Sequence, residues 1–201
     1  GNRGSRKANG SFDFLEALGV NFNQTPEEIA QQFQDTNLCF LFARNHHPGM
    51  KYVGGARKNL GHRSIFNILG PLCNPASVQH QIVGCIDEET GEKLAAALQK
   101  LGTQKSLVIV GGGGIDELSP TAPSILYEIT SNHIVRSVFD PSSLDLDISD
   151  IEIAGGSATE NATLFKQLLE THAIDHPIMQ MIALNAGAAL LAMNRCKSIP
   201  E

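Results

Sequence analysis

Ser106-Leu107-Val108-Ile109-Val110-Gly111-Gly112-Gly113-Gly114-Ile115-Asp116-Glu117 is the stretch from which the fold can be read. Ser106 to Val110 is an apolar run of the kind buried on both faces of a sheet. It ends in four glycines and then in adjacent carboxylates. In α/β sheets, ligands bind beyond the carboxyl ends of the strands, so this loop is a candidate site as well as a strand end. Asp116 and Glu117 suit Mg²⁺, which takes one or two carboxylates together with phosphate oxygens. An exposed acidic turn would carry the same letters. The spacing fits neither a Walker loop nor a dinucleotide fingerprint.

On one side of this stretch, Gln81 to Ile86 reads as a strand. Glu88 to Leu101 is the clearest helix, with Leu94, Ala97, Leu98 and Leu101 on one stripe. On the other side, Ser124 to Thr130 and His133 to Phe139 read as strands joined by a turn at Ser131-Asn132. Asn161 to Thr171 and Pro177 to Met193 read as helices, the second so apolar that it is expected to be buried. Nearer the N-terminus, Ser11 to Leu18 is expected to be helical, capped by Ser11 and closed by Gly19. Thr25-Pro26-Glu27-Glu28 starts another helix, which should run to about Asp35. Leu38 to Phe42 reads as a short buried strand, and Ser64 to Leu69 as a short helix ended by Gly70-Pro71. The residues from Lys51 to Leu60 are ambiguous. The expectation is α/β, a mixed central sheet flanked by helices, in one domain over residues 1–201.

The chain has 201 residues, 42% of them hydrophobic and 18% charged, which is ordinary globular composition. A net charge of −6 argues against a general nucleic-acid binder but not against an anionic substrate. Cys39, Cys73, Cys85 and Cys196 show no ligand spacing and read as thiols in a reducing compartment. No apolar stretch approaches the roughly 18 residues that span a membrane. A soluble, cytoplasmic protein is expected.

Three further segments could carry chemistry. Gly1-Asn2-Arg3-Gly4-Ser5-Arg6-Lys7, leading to Ser11 at a helix start, has the backbone and side-chain donors of a phosphate cradle, or is a frayed end. His46-His47-Pro48 offers a substrate-contacting or hydrogen-bonded histidine rather than a metal site. Arg57 and Arg63, followed by Gly70-Pro71 and Asn74-Pro75, suggest a pocket wall, since arginine grips a planar carboxylate at two points. Surface arginines beside turns remain the other reading.

Taken together, these segments resemble the anthranilate phosphoribosyltransferase family. The family's KHGNR loop appears from its third letter as Gly1-Asn2-Arg3, and its GSxDxLEALGV segment runs from Gly10 to Val20. FLFAxxHHPAM runs from Phe40 to Met50, with Gly49 for alanine. RxxLGxRTxFNxLGPLxNP runs from Arg57 to Pro75, with Ser64 for threonine, and GxDE is Gly114 to Glu117. Leu184-Asn185-Ala186-Gly187 is also similar to the family. The resemblance implies the large α/β domain of the phosphoribosyltransferase and nucleoside phosphorylase fold, incomplete at both ends, without the small N-terminal helical domain and GTGGD loop, and inactive alone.

It further implies transfer of a phosphoribosyl group from 5-phosphoribosyl diphosphate to anthranilate, with Mg²⁺, in an enzyme that is a homodimer when intact. By resemblance, Gly1, Asn2, Arg3, Gly4, Ser5, Arg6, Lys7 and Ser11 contact the donor, and Asn2 also faces anthranilate. Arg57 grips the anthranilate carboxylate, His47 and Pro71 line its path, and Asp116 with Glu117 hold the metal. Arg6, Lys7 and Ala8 stand where the family usually has serines. Some family homologues bind nucleic acid instead. They carry basic surfaces, against which the charge of −6 and the retained Arg57 count.

Overall fold

The computed structural model describes residues 1–4, 9–59, 64–144, 146 and 148–199, without the side chains of residues 54 and 56–58. In chain order the helices and strands are α1 (Ser11–Ala17), α2 (Pro26–Thr36), α3 (Ala43–His46), α4 (Met50–Asn59), α5 (Leu69–Leu72), β1 (His80–Cys85), α6 (Glu88–Lys100), β2 (Lys105–Val110), β3 (Ser124–Ile129), β4 (Ile134–Phe139), α7 (Ala158–Glu170) and α8 (Pro177–Ala192). They fall into two compact units. One is Gly1–Gly70 with Gly155–His172, and the other is Pro71–Ala154 with Ala173–Glu201.

The second unit holds the sheet. Among the described residues its strands lie in the order β1-β2-β3-β4, with β1 parallel to β2 and the other pairs antiparallel. The sheet is therefore mixed, and β2 is central. Its residues alternate between two apolar layers. Leu107 and Ile109 join Leu184, Ala188 and Ala192 of α8, together with Leu118 and Leu126. Val110 instead meets α6, where a Cβ on Gly91 would stand 2.8 Å from Val110 Cγ2. Helices thus flank both faces. Burying each such large aliphatic side chain contributes about 1.5–3 kcal/mol.

Local chemistry explains α6. Asp87 accepts from Thr90 N at its start, Glu88 and Glu89 sit at the positive end, and Leu94, Ala95 and Leu98 turn inward. Gly102, at φ 78°, follows its last turn. By contrast, α8 is not buried all round. Ile182 and Leu190 are 43% and 47% exposed. One sheet face covers one stripe of a helix, and uniform apolarity does not say which stripe. No helix among the described residues is long and apolar enough to cross a membrane.

In the first unit α1 packs on α7, with Phe14 edge-on to Phe165 at 5.7 Å. Phe12, Phe22 and Phe42 form a buried aromatic cluster, Phe12 stacking on Phe42 at 4.8 Å. Residues 38–42 are not a strand. Phe42 is buried by rings rather than by a ladder, and Leu38 is exposed. The cap of α1 is Gly10 rather than Ser11. Met50–Asn59 is one helix despite Gly54-Gly55. Leu69–Leu72 passes through Gly70-Pro71 instead of ending there, because a proline in a first turn forfeits no helical hydrogen bond. Likewise α7 starts earlier than Asn161, capped by Ser157, which accepts from Glu160 N.

Candidate functional site

The N-terminal loop of the first unit is folded around one carboxylate. Asp13, the third residue of α1, accepts from Gly4 N at 2.7 Å and Gly10 N at 2.9 Å, and Arg3 reaches it at 3.4 Å. The Gly4 N–H above all, then the Gly10 N–H and the guanidinium, hold Asp13 below the usual carboxylate range against the effect of burial. Arg3 also forks onto Glu16, with Nη2 2.7 Å from Oε1, and lies over the Phe22 ring. The Arg3 side chain is thereby tied to α1, and the loop backbone is tied inward as well, Gly1 N donating to Leu41 O at 3.0 Å and Gly1 O accepting from Ala43 N at 2.9 Å.

Asn2 O accepts from Phe12 N and from Ser11 Oγ, both at 3.3 Å, and Asn2 Oδ1 accepts from Arg3 N. Gly10 permits this folding. A Cβ there would fall 2.3 Å from Gly4 N. The structure therefore brings Gly1, Asn2, Arg3, Gly4 and Ser11 together. Ser5, Arg6 and Lys7 lie outside the described residues. Asp13, which organises the loop, escaped the sequence reading. Its signal was the acid three residues into a helix start, a position from which a carboxylate can reach back to the cap.

The second histidine, His47, caps α3 and is half-buried. Its neighbour His46 has a buried Nε2 with no hydrogen-bond partner among the described residues, so a satisfied structural histidine does not describe it. Asn45 Nδ2 donates to Phe22 O at 3.2 Å and ties this turn to the aromatic cluster. Arg57 falls on α4, its side chain outside the described ones. Pro71 is half-buried on α5, in the second unit.

Asp116 and Glu117 sit in the loop between β2 and β3, where the parallel strands β1 and β2 both end. Their backbone is packed while both residues keep solvent exposure, with the Glu117 carboxyl partly enclosed by the loop. A Cβ on Gly84 would lie 1.5 Å from Asp116 O, and one on Gly111 would lie 2.2 Å from Glu117 O. Only glycine allows either approach. Gly113 and Gly114, at φ 76° and 80°, turn the chain before the carboxylates. Leu118 follows them into the core, and Asn185 Oδ1 accepts from its N–H at 2.8 Å.

Burial, and then the neighbouring Asp116 charge, push the Glu117 carboxyl above its usual range. The Cys85 thiol at the end of β1 is pushed up by burial, then by Asp87, with Asp116 adding to it. Negative charge is thus crowded at these strand ends, and a cation would relieve it. Among the described residues no cluster of three or more His, Cys, Asp or Glu could hold a metal. Two carboxylates are too few for a closed protein cage. They are the set that suits a hydrated Mg²⁺ shared with phosphate oxygens.

A family model described as the glycosyl transferase family, a/b domain, matches residues 1–201. An anthranilate phosphoribosyltransferase of Halalkalibacterium halodurans is 42% identical over 200 residues, which is 99% of this chain and 58% of that protein. One from Lacticaseibacillus casei is 41% identical over 94% of this chain and 55% of its own length. The chain therefore spans less than two thirds of these relatives. Among solved structures, the Saccharomyces cerevisiae anthranilate phosphoribosyltransferase in complex with PRPP and Mg has a TM-score of 0.83 at 25% identity, covering 98% of this chain and 55% of that one. The same yeast enzyme in complex with 4-fluoroanthranilate gives 0.82 at 26% identity, over 92% and 54%.

Proposed function

The chain belongs to the glycosyl transferase family through its a/b domain, and from that premise we propose that it serves as the catalytic α/β domain of an anthranilate phosphoribosyltransferase. In this reaction the anthranilate amine forms a bond to ribose C1 of 5-phosphoribosyl diphosphate. The C1–oxygen bond breaks, diphosphate leaves with the electron pair, and the nitrogen gives up a proton. The observation that carries the reading is the exposed Asp116-Glu117 pair on a rigidly packed loop at the ends of two parallel strands.

In this reading Asp116 and Glu117 hold Mg²⁺, which when bound neutralises charge gathering on the departing diphosphate. Gly1, Asn2, Arg3, Gly4 and Ser11 bind the donor, and Asn2 also faces anthranilate. Ser5, Arg6 and Lys7 extend the donor contacts. Arg57 takes the anthranilate carboxylate, with His47 and Pro71 along its path. No side chain acts as a nucleophile, and the rate gain comes from positioning and electrostatics. The intact enzyme works in the cytoplasm as a homodimer.

The test is a coupled assay for phosphoribosylanthranilate on the full-length enzyme and its Arg57→Ala variant. Arg57→Ala should raise the anthranilate KM by about ten- to a hundredfold, the equivalent of a lost charge-assisted pair, and leave the donor KM nearly unchanged. An unaltered anthranilate KM would move the acceptor site elsewhere. Absence of activity in the wild type together with salt-dependent binding of single-stranded DNA would replace the reading with a nucleic-acid-binding homologue.

A further inference from the structure

Two neutral side chains from the scaffold grip the loop that carries the acidic pair. Ser124, at the start of β3, is fully buried, and its Oγ accepts from Gly112 N at 3.1 Å and from Ser119 N at 3.2 Å. One hydroxyl therefore ties both ends of the loop together. Asn185, on α8, accepts from Leu118 N at 2.8 Å and donates to Leu118 O at 3.1 Å. A second bond from Asn185 Nδ2 to Met181 O, at 3.0 Å, fixes the amide to its own helix. Leu118 directly follows Glu117 and is itself 0% exposed.

Among the described residues, neither Asp116 nor Glu117 takes part in this fastening through a side-chain hydrogen bond or ion pair. Their backbone rests on Gly84 and Gly111 from below, while Ser124 and Asn185 fix it from the ends. A loop that needed only to be stable could have used the two carboxylates as its own acceptors. Here outer partners do that work and both charges stay available.

We propose that Ser124 and Asn185 are positioning residues that set the orientation of the Asp116-Glu117 pair toward a divalent cation. This rests on the reading of Asp116 and Glu117 as the Mg²⁺ ligands. Partners that hydrogen-bond the ligating groups themselves are worth about ten- to a hundredfold in metal affinity at other sites, and Ser124 and Asn185 act one step further out, through the loop backbone.

The experiment is Mn²⁺ binding to the full-length enzyme without substrates, followed by electron paramagnetic resonance of the free ion. It is paired with thermal unfolding in EDTA and with the Mg²⁺ dependence of the rate. Wild type is compared with Asn185→Leu, Ser124→Ala and Asp116→Asn. Both positioning variants should weaken Mn²⁺ binding, by up to about tenfold, the low end of what a direct partner of a ligand is worth. They should also shift the Mg²⁺ midpoint of the rate upward, with kcat recovered at high Mg²⁺ and the anthranilate KM unchanged. A merely structural role would lower kcat through lost folded protein and leave the midpoint where it was.

If Asn185→Leu does not fold, Asn185→Asp, which keeps the acceptor for Leu118 N and loses the donor to Leu118 O and Met181 O, takes its place. Wild-type Mn²⁺ affinity in the positioning variants, with Asp116→Asn impaired, would overturn the proposal and leave the metal assignment standing. Wild-type affinity in Asp116→Asn would overturn both.

Discussion

The N-terminal loop, described over residues 1–4, 9 and 10, and the loop of residues 111–119 both lie against a glycine and are both proposed to face phosphate, yet they are held by opposite means. The first is gathered around an ionised group, Asp13, which collects two N–H groups and a guanidinium. The second is gathered around a hydroxyl and an amide, and its ionised groups stand outside the fastening. In the first loop the carboxylate takes up the Gly4 and Gly10 N–H groups and so shapes the backbone from within. A loop meant to receive a cation has to keep its carboxylates free. The divergent pKa directions of Asp13 and Glu117 record that difference.

The largest effect should come from filling the space under each loop. Gly84→Ala puts a methyl where Asp116 O lies, and the full-length enzyme should lose activity by about a hundredfold or more, the scale of a lost electrostatic contact in the transition state. The loss should appear in the Mg²⁺ dependence. Gly10→Ala meets Gly4 N and should act on the donor KM instead. Steady-state kinetics in both substrates and Mg²⁺ separates the two, and an identical pattern in both variants would erase the contrast.

Next in size is Leu118→Ala, which empties a fully buried position under the second loop and should cost about 2–5 kcal/mol by urea unfolding. Among the described residues of the first loop none is a buried apolar side chain, and Phe12 beyond it is the first.

Acid separates the loops with opposite signs. Asp13 has a folded pKa below its unfolded one, so its contribution is present above the unfolded value and disappears as pH falls through the folded value. Glu117 has a folded pKa above its unfolded one, so stability is complete below the unfolded value and is lost as pH rises through the folded value. Stability measured against pH should therefore show a shallower acid limb in Asp13→Asn. Glu117→Gln should lose less stability than wild type as pH rises past the Glu117 pKa. Parallel curves for all three proteins would contradict both assignments. The smallest change is expected at Arg136→Gln, which removes an exposed pair with Glu88 and should leave the thermal midpoint almost unmoved.

How much of this was legible in the residues depends on how far each interaction reaches along the chain. β2, the β3–β4 hairpin and α6 follow from an apolar run, turn residues and a single apolar stripe, all signals local to the segment. The motif segments around Asn2, His47 and Asp116 were likewise visible as local strings. Residues 38–42 misled because an apolar run says only that it is buried, and Phe42 is buried among aromatic rings. Helix α4 was hidden by Gly54-Gly55, whose low propensity was overridden in place. The fastening of the second loop could not be read at all. Asn185 lies 67 residues from Leu118, and nothing in either neighbourhood announces the other.

The same fastening has a consequence in time. Loops beside a substrate are ordinarily where amide hydrogens trade with water soonest, because such segments open at little cost. The amides of Gly112, Leu118 and Ser119 point at acceptors belonging to β3 and α8, so they are released only when those elements loosen. In deuterium they should keep their protons on the schedule of the sheet, while Asp116 and Glu117 between them stay open to solvent. The proposed metal loop would then be placed on the surface with the kinetics of the interior.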